Sequence, residues 1–396
     1  MKILVISQYY FPEQFRITDI CESLVIRGHD VTVITAQPNY PEGILFKGYN
    51  NEFKSEIINK VTVLRTKIYP RGKNSISLFL NYISFPIHAK RYIRKLPSNF
   101  DIVFINQLSP VISAIPGLNY SKRNNVPSVL YCLDLWPESL VSGNIKRNSI
   151  IYRLFDKISR KIYNECDLIA VTSKSFVDKF LQIGSKKIVY LPQYAEEIFS
   201  GIQSKSKKID DVFNFVFAGN IGEMQSVETV ILAANELKLY KNIVFHILGT
   251  GSRFATIEKL VKTLNLSKVI LYGRKPVEEM PYFYGIADAM LVTLKNDSQI
   301  SMTLPGKVQS YMAAGKPIIA AANGEIKTII EDSNSGIVVP AEDYIKLSSA
   351  ILTFTVENNY NILSVNSNDY YVSHFHKQKF MINLEKILKE TRNVRK

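Results

Sequence analysis

Short unbroken runs of branched apolar residues alternate along this chain with longer segments whose apolar positions recur at helical spacing. Lys2–Ser7 reads as a buried strand, a helix follows to about Arg27 where Gly28 stops it, and Val31–Thr35 is the next strand. Further buried strands are predicted at Asp101–Asn106, Ser128–Leu133, Leu168–Ser173 and Ile188–Pro192. The pattern then breaks into Glu196–Asp211, a linker by its polar composition. It restarts with strands at Phe213–Ala218, Val244–Leu248, Val269–Tyr272, Ala289–Leu294, Ile318–Ala321 and Gly336–Pro340, the first followed by a helix from about Val227 to Leu239. Strand–helix alternation with short connections predicts an α/β protein of two doubly wound, Rossmann-like domains. The expected boundaries are 1–198 and 199–375, with a C-terminal helical segment over 376–396.

In open α/β sheets, ligands bind beyond the carboxyl ends of the strands, and here those ends carry glycines: Gly219, Asn220 and Gly222, then Gly249, Gly251 and Arg253, then Gly273 and Arg274. The segment Leu304–Ala321 adds Pro305 and Gly306 before a helix from about Lys307 to Ala314 that Gly315 ends. The first-turn amides of Gly306, Lys307 and Val308, the positive helix end and the Lys307 charge together suit a diphosphate. An ordinary loop–helix–strand unit has the same spacing. Arg253 and Arg274 are the other candidate cations. After the first strand there is no G-x-G-x-x-G but YYFPEQFR, which argues against a dinucleotide site there.

Two first-half loops hold further chemistry. Gln37–Gly43, with Asn39, Tyr40 and Glu42, is a turn-rich loop beyond a strand end. Asp134 and Glu138 stand four apart past another strand end and flank Trp136, the only tryptophan. Carboxylates beside a large aromatic suit hydrogen bonds to sugar hydroxyls and stacking on a sugar face. An N-cap aspartate beside a packed tryptophan fits the same residues.

Composition narrows the partners. The 396 residues are 46% hydrophobic and carry a formal net charge of +14, with 26 basic against 16 acidic residues in 1–200. Nucleic acid, anionic lipid or diphosphate ligands would each answer that excess, but no nucleic-acid module signature is present. Cys21, Cys132 and Cys166 are widely spaced and odd in number, which fits neither a disulfide framework nor a zinc site and suits a reducing cytosol. The N-terminal apolar run is too short for a signal peptide, and no run reaches the roughly 18–20 residues of a membrane span. Ser75–Lys95 joins an apolar block that includes Phe79 and Phe85 to a basic end with Arg91, Arg94 and Lys95. That arrangement suits the interface of an anionic membrane, although a core helix with a solvated end, kinked at Pro86, fits it too.

The run P-G-K-V-Q-S-Y-M-A-A-G-K-P at 305–317 resembles the donor-binding segment of family-4 retaining glycosyltransferases, which have the two-domain GT-B fold. F-A-G-N-I-G-E-M-Q at 217–225, D-L-W-P-E-S at 134–139 and Q-P-N-Y-P-E-G at 37–43 resemble the branch of N-acetyl-L-fucosamine transferases of the WbuB type. The resemblance implies two domains facing across a cleft, with the C-terminal helix crossing back to the first. It implies a UDP-sugar donor on the second domain and an undecaprenyl-diphosphate-linked amino sugar on the first, in capsule or O-antigen assembly at the inner face of the plasma membrane. Lys307, Val308, Ser310 and the strand-end glycines would then hold the donor. Glu13, Asn39, Tyr40, Glu42 and Trp136 would hold the acceptor, and Asp134 and Glu138 are the candidate bases by chemistry type. Neither cofactor nor metal is expected, and no D-x-D triplet occurs. The family's E-x7-E pair is replaced by Met302 and Ser310, and its usual Arg and Lys after the first strand of the second domain are absent. A non-catalytic scaffold subunit and a sugar-nucleotide epimerase on the same fold remain open alternatives at this point.

Overall fold

In a computed structural model, which describes every residue except 73, 142–144, 186, 203–211, 358 and 396, the chain forms two compact units. One comprises Met1–Thr172, Phe176–Leu191 and Met381–Lys396, the other Ser173–Ser175 and Pro192–Phe380. The predicted linker falls largely outside the described residues.

The first unit holds β1 (Lys2–Ile6), β2 (Asp30–Ala36), β3 (Lys54–Ile58), β4 (Val61–Thr66), β5 (Ile102–Gln107), β6 (Ser128–Cys132), β7 (Leu168–Val171) and β8 (Ile188–Tyr190). They form one sheet in the order β3-β4-β2-β1-β5-β6-β7-β8. Every pairing is parallel except β3 with β4. The helices are α1 (Ile17–Ile26), α2 (Ser75–Lys95), α3 (Ile115–Asn124), α4 (Ile150–Glu165) and α5 (Lys174–Gln182). Burial on both faces explains why β1, β5 and β6 read as continuous apolar runs, each fully buried Ile or Val contributing about 1.5–3 kcal/mol. The chain moves outward from β1 and then returns to β5 on its other side, so the sheet has its topological switch point at β1/β5.

The second unit contains β9 (Phe213–Ala218), α6 (Val227–Glu236), β10 (Ile243–Leu248), α7 (Phe254–Thr263), β11 (Val269–Gly273), α8 (Met280–Ile286) and β12 (Ala289–Thr293). It continues through α9 (Gly306–Ala313), β13 (Ile318–Ala321), α10 (Glu325–Ser333), β14 (Gly336–Val339), α11 (Tyr344–Val356) and α12 (Tyr360–His374), and α13 (Lys377–Arg392) begins in it and passes to the first unit at Met381. Its all-parallel sheet has the order β11-β10-β9-β12-β13-β14 and reverses at β9/β12. Alternate strand residues fill two cores: Val216, Met290 and Ile318 face one side with Tyr311, and Phe215, Phe217, Leu291 and Ile319 face the other. The helix predicted from Val227 ends at Glu236, three residues early.

Helix α2 continues through Pro86 over 21 residues, so the proline does not end it. A proline inside a helix costs about 3 kcal/mol. Packing of Phe85, Ala89 and Ile93, all buried on the inner face, offsets that loss. From Met381 onward the chain counts with the first unit. There Glu385 accepts hydrogen bonds from Arg27 (3.0 Å) and pairs with His29 (2.7 Å), Arg392 meets Asp101 (2.8 Å) and Arg395 meets Asp167 (2.9 Å).

Candidate functional site

In the second unit, the loops after β9, β10 and β11 lie against one another at the carboxyl edge. Ile221 N donates to Thr250 O (2.9 Å), Gly249 N to Gly273 O (2.8 Å) and Arg253 N to Ile221 O (3.0 Å). A Cβ on Gly249 would lie 1.8 Å from Gly219 O, and one on Gly251 would lie 2.4 Å from Ile221 O. These two glycines therefore serve the stacking of loop on loop. Gly222 opens the short turn Glu223–Gln225, and Thr293 Oγ1 fastens that turn to β12 by donating to Gln225 O (2.6 Å).

Lys307, in the first turn of α9, reaches back across the β9/β12 switch point. Its Nζ donates to Gln225 Oε1 (2.5 Å) and stands 4.1 Å from the centroid of the Phe217 ring. Gly219 leaves the room for it, since a Cβ there would be 3.3 Å from Nζ. Burial lowers the ammonium to about 7, and among the described residues no carboxylate offsets its charge. The cation has an amide oxygen and a ring face for company, and lacks an anion. Lys316, nine residues on and just past the end of α9, contrasts with it. That side chain is spent on the fold, donating to Ala287 O (3.0 Å) and Gly285 O (3.4 Å) at the end of α8, and burial lowers it to about 8.

The other predicted donor residues are placed less simply. Arg253 is engaged by Glu228 (2.8 Å) and Glu223 (3.4 Å). Arg274 and Asn220 are exposed in their loops, beyond Gly273 and Gly219 respectively. The Val308 amide, expected to face a ligand, donates to Pro305 O (3.0 Å) instead, which closes the first turn of α9. Ser310 Oγ turns back to Gly306 O (3.2 Å), as a buried helical serine does when it has no other acceptor in reach. Tyr311 OH receives Ala218 N (3.0 Å) and donates to Ala218 O (2.9 Å), locking α9 to the end of β9. Sequence reasoning missed Gln225 as the lysine's partner, although it stands within the F-A-G-N-I-G-E-M-Q run.

In the first unit, three predicted residues prove to be scaffold. Glu13 is buried, and its carboxylate accepts from the amides of Asn39 (2.9 Å), Tyr40 (2.8 Å) and Tyr10 (3.3 Å). Burial raises it to about 7 against the lowering effect of those amides. The buried Asn39 side chain accepts from Arg71 N (2.9 Å) and donates to Gln37 O (3.0 Å). Trp136 is buried, not presented to a sugar: its Nε1 donates to Ser109 Oγ (2.9 Å), and its ring packs on Phe155 at 5.1 Å. The expected stacking role is therefore corrected, because the side chain is packed into the fold and only 5% exposed.

Glu138 is corrected likewise. It is 6% exposed and held by Lys179 (3.0 Å), the Tyr152 hydroxyl (2.9 Å) and Arg147 (3.4 Å), which leaves no oxygen ready to take a substrate proton. Asp134 differs. It keeps partial solvent contact, accepts from Ser109 N (2.9 Å), and close packing raises its carboxyl above the usual range. Tyr40 is half-buried in a cluster with Tyr9 and Phe15, at 5.4 and 5.3 Å, and Glu42 is exposed.

Of the predicted membrane residues, Phe85 is fully buried in the core, which removes it from that role. Phe79 is 52% exposed, and Arg91, Arg94 and Lys95 are exposed. Ile76 and Ile87 are exposed as well, so the outer face of α2 is apolar first and basic afterwards. Among the described residues no helix is long and apolar enough to cross a membrane.

Comparisons with known proteins agree with this anatomy. The family model of glycosyltransferase family 4 matches residues 15–193, and that of glycosyl transferases group 1 matches residues 200–362. WcaI of Escherichia coli (strain K12), a glycosyl transferase named for colanic acid biosynthesis, is 24% identical over 348 residues, 81% of this chain and 83% of the relative. WbjE of Pseudomonas aeruginosa, named as a glycosyltransferase, is 28% identical over 240 residues, 56% of this chain and 58% of the relative. The crystal structure of Anabaena Alr3699/HepE in complex with UDP and glucose has a TM-score of 0.71 at 14% identity, covering 98% of this chain and 99% of its own. Two parallel-sheet units, matched in succession by two glycosyltransferase family models, place this chain among the GT-B glycosyltransferases.

Proposed function

We propose that this protein transfers N-acetyl-L-fucosamine, with retention, from its UDP donor to an undecaprenyl-diphosphate-linked amino sugar in bacterial capsule or O-antigen assembly. The observation that carries the reading is Lys307, a cation at the β9/β12 switch point with no carboxylate to offset it among the described residues. A nucleoside diphosphate leaves with negative charge growing on its β-phosphate. An ammonium fixed at that point stabilises the transition state more than the ground state, and preorganised donors of this kind are worth about 2.7–4 kcal/mol each. The chemistry named for WcaI and the UDP bound in Alr3699/HepE support the polysaccharide setting and the nucleotide. Asp134 is the carboxylate left open to take the acceptor's proton, and no resident metal or cofactor is assigned. The apolar and basic outer face of α2 supports attachment to an anionic membrane that carries the acceptor.

The test is mass spectrometry of an incubation with UDP-N-acetyl-L-fucosamine, a short lipid-diphosphate amino sugar and EDTA, beside GDP- and other UDP-sugar controls. One added N-acetylfucosamine with free UDP is the expected result. Product from another donor alone would replace the sugar and keep the reaction class. Neither product nor nucleotide binding would overturn the reading.

A further inference from the structure

A second cation without a counter-charge lies in the first unit. Arg71 follows β4, in a loop at the same carboxyl edge as the β1 and β2 loops. Its backbone is fixed on two sides. The amide donates to Asn39 Oδ1 (2.9 Å), and the 39–43 loop closes over its carbonyl so tightly that a Cβ on Gly43 would fall 1.5 Å from Arg71 O. Its guanidinium lies over the Tyr40 ring at 5.4 Å, beside the stacked pair Tyr9 and Phe15, whose centroids are 4.8 Å apart. The phenols of Tyr9 and Tyr82 also feel its charge.

Carboxylates nearby do not neutralise it. Both Glu13 oxygens are committed to backbone amides, and Asp134 accepts from Ser109 N. Among the described residues Arg71 forms no ion pair, and it is half-buried, so its charge is neither fully hydrated nor matched. Four residues on begins α2, whose outer face opens with the exposed Ile76 and Phe79. A pinned cation with fork geometry beside an apolar helix face is complementary to a phosphate ester of a long hydrocarbon.

We infer that Arg71, held on the Tyr40 ring by Asn39 and the 39–43 loop, is the anchor for the diphosphate of the lipid-linked acceptor. The assignment rests on the proposed transferase function and adds where that acceptor's charge is bound. Tyr9 and Tyr82 orient the guanidinium, and the first turns of α2 take the adjoining hydrocarbon.

The test compares wild type with Arg71→Met and Arg71→Lys in two assays. In the first, equilibrium binding of farnesyl diphosphate is measured against farnesol and against UDP, without any turnover. Arg71→Met is expected to weaken farnesyl diphosphate about tenfold to a hundredfold and to leave farnesol and UDP unchanged, with Arg71→Lys between. In the second, KM is measured for a lipid-diphosphate sugar and for a neutral alkyl glycoside of the same sugar. Only the charged acceptor is expected to lose, through KM.

Equal losses for both acceptors would make Arg71 a structural residue and overturn the inference. So would weakened UDP binding, which would assign the site to the nucleotide. Loss of binding to phosphatidylglycerol vesicles with unchanged farnesyl diphosphate affinity would assign it to lipid headgroups, also against the inference. Failure of the transferase reading itself would show as intact farnesyl diphosphate binding without transfer from any nucleotide sugar.

Discussion

In the proposed reaction Lys307 matters by what it lacks. With its ammonium lowered to about 7, the free protein holds much of it neutral at pH 8, and an incoming diphosphate draws a proton onto it. UDP binding at pH 8 is therefore expected to take up protons, measured calorimetrically in buffers of different ionisation enthalpy, and Lys307→Met is expected to lose that uptake. The same variant should cut kcat about 10²–10³-fold at unchanged far-UV circular dichroism. The sign for stability is opposite to that of a paired lysine. Between about 7 and the ordinary 10.5 the unfolded chain holds the extra proton, so folding stability gains with rising pH across that window. Asp134 yields a separate test. Its raised pKa moves the acid limb of kcat above the usual carboxylate range, and Asp134→Asn should lower kcat about a hundredfold or more and erase that limb.

Elements explain what the sequence disclosed and what it withheld. The parallel strands were legible because burial on both faces leaves no polar alternation to confuse, as in Ile102–Gln107 and Ala289–Thr293. Strands β3 and β4 were not read. β3 is an edge strand with charged Lys54 and Glu56, and β4 carries Arg65, fully buried because Glu56 pairs with it across the antiparallel ladder at 2.5 Å. Lys307 was legible from its helix start, but its partner Gln225 lies 82 residues away in sequence, and only folding brings them together. Trp136 and Glu138 misled for the same reason, since Ser109, Tyr152 and Lys179 close on them from other elements. The loop stack makes its own prediction. Gly249→Ala places a methyl inside the Gly219 carbonyl and should destabilise by about 1–3 kcal/mol, read as a lowered Tm that UDP only partly restores. On α2, Arg94→Glu with Lys95→Glu should weaken co-sedimentation with anionic vesicles by ~1 kcal/mol per lost basic residue and leave neutral vesicles unaffected.

At the scale of the whole molecule, the excess of positive charge in the first 200 residues gathers on the unit assigned to the acceptor. Vesicle attachment is expected to weaken between 50 and 500 mM salt, with UDP affinity changing less, because Lys307 is shielded from bulk ions by burial. The chain's path has one more consequence. The first unit is discontinuous: Met381, Leu384 and Leu388 are buried, and the residues from Met381 onward count with strands laid down in the first 191 positions. A ribosome therefore releases the last piece of that unit only after the entire second unit has been translated. The N-terminal sheet must wait, with the seat of Glu385 on Arg27 and His29 empty, until the intervening second unit has been made. The first unit is thus completed only after the second has left the ribosome, although its sheet precedes it in the chain.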